Sequence, residues 1–104
     1  MKENKIQELQ ILEQNLQNIL FQKQTFQIEL AETQSALDEL EKSDDDVYKI
    51  IGQLMLKTEK QKISQELEEK KKMLELRIKT MENQEKIITE KVEKLRKEIM
   101  KEKK

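Results

Sequence analysis

The feature that most constrains this chain is a seven-residue repeat of apolar side chains that fills both halves and lapses in the middle. In the first half one heptad position holds Leu9, Leu16, Lys23, Leu30 and Leu37. The position three residues further on holds Leu12, Ile19, Phe26, Thr33 and Leu40. Eight of these ten are apolar, a stripe narrow enough for one helix to pack along another as a coiled coil. In the second half Leu67, Leu74, Met81, Ile88 and Leu95 fill one position without exception. The companion position reads Ser64, Lys71, Ile78, Glu85, Val92 and Ile99, and only half of it is apolar.

Periodicity also decides between two readings of the composition. Charged residues make up 41% of the 104 and hydrophobic ones 35%, too little apolar side chain for a compact core and compatible with a disordered chain. Disorder has no period, and this sequence has one. The residues used are mostly Leu, Glu, Lys, Gln, Ile and Met, good helix formers. With no Pro and a single Gly, little interrupts them.

The lapse has its own pattern. Ser43, Asp44, Asp45 and Asp46 form an acidic, turn-like break, since these residues disfavour helix interiors. Val47-Tyr48-Lys49-Ile50-Ile51 then precedes Gly52-Gln53, and Leu54-Met55-Leu56-Lys57-Thr58 follows. Leu54 and Leu56 alternate on one face, and β-branched and aromatic residues are concentrated here. The spacing predicts a β-hairpin turning at Gly52, whose missing Cβ suits the positive φ of a two-residue turn. A helix running through would carry Gly52 in its interior at a cost of about 1 kcal/mol.

A reversal near Gly52 sets a register that the heptads can match. Leu9 with Leu95, Leu16 with Ile88, Leu30 with Leu74 and Leu37 with Leu67 all sum to 104 in residue number. So do Leu12 with Val92 and Phe26 with Ile78. The expected fold is mainly α: an antiparallel two-helix coiled coil with a short β-hairpin at the bend. It forms a single domain over 1–104, with helix one at 1–43, linker and hairpin at 44–59 and helix two at 60–104. Charge agrees, because residues 1–46 carry four Lys against eleven Asp and Glu, while 47–104 carry seventeen Lys and Arg against eleven Glu. A lone two-stranded hairpin is marginal in water, so its apolar residues imply oligomerisation. Within the seam, Lys23 and Glu85 lie one layer apart, close enough for an ion pair that fixes register; the alternative is that both stems reach out to solvent.

Chemistry has little to work with. There is no His and no Cys, hence no zinc site and no disulfide. Ser35, Ser43 and Ser64 have no base beside them in any recognisable pattern. The expectation is no enzyme, no cofactor and no metal. No apolar run approaches the roughly 18 residues of a membrane span, and Met-Lys-Glu-Asn-Lys at the start lacks a signal-peptide core. These point to a cytoplasmic protein with no membrane partner. Near the chain ends, Ile6, Leu9 and Leu12 face Val92, Leu95 and Ile99, with Ile11 and Met100 on flanking positions. Residues 94–104 hold six Lys and Arg against two Glu. An apolar surface ringed by charge suits weak contact with many partners; frayed coil with a basic tail is the plainer reading. Nucleic-acid binding is disfavoured because Glu is interleaved and no aromatic residue lies near to stack on bases.

The sequence resembles the prefoldin β-type subunits, most closely those of archaea. The matching stretches are Gln22-Lys23-Gln24-Thr25, Glu32-Thr33-Gln34 with Ala36-Leu37, the block Val47 to Gly52 with Leu54-Met55-Leu56, and Leu76-Arg77, Lys79-Thr80 and Gln84-Glu85. One hairpin flanked by heptad blocks is the specific part. The resemblance implies a hetero-oligomer, an α2β4 hexamer whose hairpins form a shared β-barrel platform from which the coiled coils extend. It implies an ATP-independent chaperone, a holdase that grips unfolded polypeptide clients with its coiled-coil tips and passes them to a group II chaperonin. Mapped here, the assembly hairpin is Val47, Tyr48, Ile50, Ile51, Gly52, Leu54 and Leu56. The client-binding tips are Ile6, Leu9, Leu12, Leu95, Ile99 and Met100. Two other readings stand beside it: a scaffold coiled coil with no client, and a nucleic-acid-binding arm over 86–104.

Overall fold

A computed structural model of the chain describes residues 2–43 and 46–102. Asp44 and Asp45 of the acidic break, and Lys103 and Lys104 of the basic end, lie outside the described residues, as does Met1. The element order is α1 (Lys2–Lys42), β1 (Val47–Ile51), β2 (Leu54–Thr58) and α2 (Lys60–Glu102). The fold class is the one the heptads require, two long helices packed antiparallel with a two-stranded antiparallel hairpin between them in the chain.

Both helices stop where their backbone finds other partners. At the end of α1 the Ser43 amide donates to the Leu40 carbonyl at 3.3 Å, a tightened last turn. Lys60 Nζ then donates to the Ser43 carbonyl oxygen at 2.8 Å. At the start of α2 the Ile63 amide donates to the Glu59 carbonyl at 3.1 Å. Glu59 thereby sits as the capping residue, where a carboxylate meets the positive end of the helix dipole.

The chain divides into two compact units, Met1–Phe26 with Arg77–Lys104, and Gln27–Leu76. In each, a stretch of α1 packs antiparallel to a stretch of α2. Every seam position named above, from Leu9 to Leu40 and from Ser64 to Ile99, is buried or half-buried. Among the described residues, full burial is limited to Thr33, Leu37 and Leu74 in the second unit and Ile78, Val92, Leu95 and Ile99 in the first. Two helices cover a side chain from one direction only, so most of the seam stays half-exposed.

Three of the polar seam residues find partners within the chain. Buried Thr33 donates its hydroxyl to the Glu29 carbonyl at 2.8 Å, one turn back in its own helix. Lys23 Nζ meets Glu85 Oε2 at 2.8 Å, both side chains half-buried. The ion pair thus forms, and the solvent-seeking arrangement of these two stems does not. The hydrogen bond to Glu85 raises the Lys23 pKa, against the opposing effect of burial. One layer away the Arg77 guanidinium sits 5.6 Å from the centre of the Phe26 ring, a cation–π contact.

Candidate functional site

Two surfaces gather exposed apolar side chains beside features that could receive a partner. The first is the hairpin. Val47 pairs with Thr58, Tyr48 with Lys57, Lys49 with Leu56, Ile50 with Met55 and Ile51 with Leu54, which leaves Gly52 and Gln53 as a two-residue turn. Gly52 has φ +59°, and no other described residue has positive φ. Positive φ at the first turn position alone defines a type II′ turn, one of the two that match the twist of paired strands. A Cβ at Gly52 would meet nothing within 4 Å, so its requirement is one of backbone conformation and not of space.

Alternation sorts the strand residues onto two faces. One holds Val47, Lys49, Ile51, Leu54, Leu56 and Thr58; the other holds Tyr48, Ile50, Met55 and Lys57. Neither is covered. Ile50 is 69% exposed and Met55 65%, while Tyr48, Ile51, Leu54 and Leu56 are exposed as well. The lysines are tied down: Lys49 Nζ lies 2.9 Å from Glu66 Oε2 and Lys57 Nζ 3.4 Å from Asp46 Oδ2. Both strand edges are open too, since the sheet among the described residues has only these two strands. In an antiparallel ladder closed by a two-residue turn, the amides of Tyr48, Ile50, Met55 and Lys57 point away from the partner strand. At the strand bases a cleft of about 460 Å³ opens beside Leu40, Val47, Tyr48, Ile63 and Leu67. Exposed apolar faces, open edges and an adjoining cleft make a surface suited to receiving further strands.

The second surface lies in the first unit, where the start of α1 meets the end of α2. Lys5 bonds to Glu102 and stands 3.9 Å from Glu98, and the hydrogen bond to Glu102 raises its pKa. Arg96 lies 3.5 Å from Glu13. Of the six side chains expected here for client contact, Ile6 and Met100 are exposed, Met100 at 68%. Leu9 and Leu12 are half-buried. Leu95 and Ile99 sit in the seam at 7% and 8% exposure, so each presents only an edge to the surface. A groove of about 380 Å³ runs here, with Leu12 and Leu95 at its base and Lys91 and Lys94 on its wall.

Some exposed apolar residues were not singled out from the sequence. Met55 belongs with Tyr48 and Ile50 on the second hairpin face, a membership that pairing across the two-residue turn, Ile50 opposite Met55, supplies. Phe21, Ile28 and Leu76 are exposed on the helices away from the seam, and no periodic signal marks them. Among the described residues there is no cluster of three or more potential metal ligands, and no helix is long and apolar enough to cross a membrane.

Comparison with known proteins places this geometry. The family model described as "Prefoldin subunit" matches residues 3–104. A prefoldin subunit beta of Thermococcus kodakarensis is 45% identical over 94 residues, 88% of this chain and 80% of that one. The corresponding protein of Pyrobaculum islandicum is 44% identical over 89 residues, 84% of this chain and 71% of that one. The crystal structure of the prefoldin beta subunit from Thermococcus strain KS-1 superimposes with a TM-score of 0.88 at 40% identity, covering 96% of this chain and 90% of that one.

Proposed function

This chain belongs to the prefoldin subunit family, whose members are chaperone subunits and not enzymes, and on that premise we propose that it is a β-type subunit of an ATP-independent holdase. Its hairpin joins those of an α-type subunit and other copies of itself in a β-barrel platform of an α2β4 hexamer. Its terminal surface holds unfolded polypeptides and releases them to a group II chaperonin. The reading carries a cytoplasmic location, with neither membrane nor nucleic acid as partner.

The observation that carries it is the hairpin, exposed on both faces and open at both edges. Burying one aliphatic side chain is worth about 1.5–3 kcal/mol. The exposed hairpin residues together then offer on the order of 10 kcal/mol per chain before ordering costs. A chain that leaves this much apolar surface in water is incomplete alone. The terminal surface supports the second half of the reading by contrast. Its exposed apolar residues are few and set among charges, so each contact is weak. Several such surfaces in one assembly hold a client well together while each can let go, and no nucleotide is needed.

A truncated chain of residues 13–91 tests this. It should assemble to the subunit number of the full chain, measured by native mass. It should also fail to suppress aggregation of a denatured protein, followed by light scattering. Full protection by the truncated chain would remove the terminal surface from the reading, and loss of assembly would remove the hairpin.

A further inference from the structure

Charge is divided between the two units in a way the repeat does not require. The unit formed by Met1–Phe26 and Arg77–Lys104 carries thirteen Lys and Arg against nine Glu. The unit Gln27–Leu76 carries eight Lys against thirteen Asp and Glu. The surplus of cations therefore falls on the unit with the terminal groove.

The groove itself shows how that surplus is presented. Its base is apolar, Leu12 and Leu95, and Lys5 on its wall is neutralised by Glu98 and Glu102. Lys91 and Lys94 are exposed and, among the described residues, in no ion pair. Lys97 and Lys101 continue from Lys94 at the three- and four-residue spacing that keeps them on one helix face, exposed and equally without ion pairs. Glu8 is the remaining acidic wall residue. Ile11, next to Leu12 in the chain, is 60% exposed.

We propose that this surface selects unfolded segments in which acidic residues flank apolar ones. The groove base and Ile11 take the apolar side chains, and Lys91, Lys94, Lys97 and Lys101 receive the carboxylates. The proposal rests on the client-binding reading above and adds the class of client. Free cations beside an apolar floor attract anions over a Debye length of about 8 Å at physiological salt. They bias which segments arrive and stay without adding much to the affinity of any one contact. A polypeptide is favoured over nucleic acid because the groove base is aliphatic and offers bases no aromatic face.

The test uses the full chain in the oligomer it forms, and three fluorescent peptides with one apolar core flanked by Asp, by Asn or by Lys. Fluorescence anisotropy should give affinity in the order Asp, Asn, Lys, with roughly threefold to tenfold between the extremes at low salt. Salt at about 300 mM, twice physiological strength, should compress the order. The variant Lys91→Gln, Lys94→Gln, Lys97→Gln, Lys101→Gln should erase it, drawing the three affinities together. Equal binding of all three peptides overturns the charge selection and leaves the client-binding reading intact. Failure of the Asn-flanked peptide to bind at all removes that reading itself. Displacement of the Asp-flanked peptide by a single-stranded oligonucleotide of equal charge, at lower concentration than unlabelled peptide requires, overturns the proposal in favour of nucleic acid.

Discussion

The hairpin and the terminal surface both leave apolar side chains in water, yet they do so in opposite ways. On the hairpin such residues are consecutive, cover both faces, and come with unpaired backbone groups along two edges. Its two lysines are already engaged by Glu66 and Asp46. At the termini Ile6, Ile11 and Met100 are scattered along two helices with no strand edge, and among the described residues Lys91, Lys94, Lys97 and Lys101 are in no ion pair. Permanent interfaces resemble a core cut in half, whereas a surface that must release its partner cannot be one. Under the proposed reading, this difference separates assembly from client contact, giving backbone pairing to the first and side chains alone to the second.

The comparison can be broken most forcefully at the hairpin. Ile50→Asp with Met55→Asp removes a cross-strand apolar pair, about 3–6 kcal/mol of burial per chain, and places two carboxylates where neighbours must approach. Native mass spectrometry should find mainly single chains with helix content retained. Next comes the turn. Gly52→Val forces a β-branched residue into left-handed φ at a cost of about 1–2 kcal/mol, while Gly52→Asn is milder because Asn tolerates that region. Assembly midpoints should shift roughly tenfold in concentration for Val and less for Asn.

Changes at the termini should leave the assembly alone. Ile6→Ser with Met100→Ser should alter stability by no more than about 0.5 kcal/mol, as for exposed sites generally. Client protection should nonetheless weaken, needing more chaperone for equal suppression of aggregation, because the loss repeats at every subunit. The smallest effect belongs to the seam. The Lys23 pKa is raised in the folded chain, so its ion pair stabilises fully below the unfolded lysine value, about 10.4, and is lost as pH rises through the higher folded value. Thermal unfolding should show a constant gap between the natural chain and Lys23→Met from neutral pH to about 9, closing above that window.

Much of this fold was legible because a heptad repeat states directly which face is covered, and all the seam positions from Leu9 to Ile99 are indeed sheltered. The turn was legible because a lone Gly between two β-prone blocks has few uses. What the repeat does not state is depth. Leu95 and Ile99 look like tip residues by position, but the seam closes over them, and Met100 beside them stays out. The alternation of Leu54 and Leu56 does not mark Met55, which lies on the opposite face, shared with Ile50. Phe21 and Ile28 had no signal at all, since single apolar residues on an outer helix face follow no period.

Hydrogen exchange of the assembled full chain, resolved by residue, tests the separation most directly. The account predicts that the outward-pointing amides of Tyr48, Ile50, Met55 and Lys57, which have no partner strand within one chain, become strongly protected. The first turn of α1 and the last turn of α2 should exchange quickly in the same sample. If those four hairpin amides exchanged as fast as the helix termini, the hairpin would not be where the subunits join.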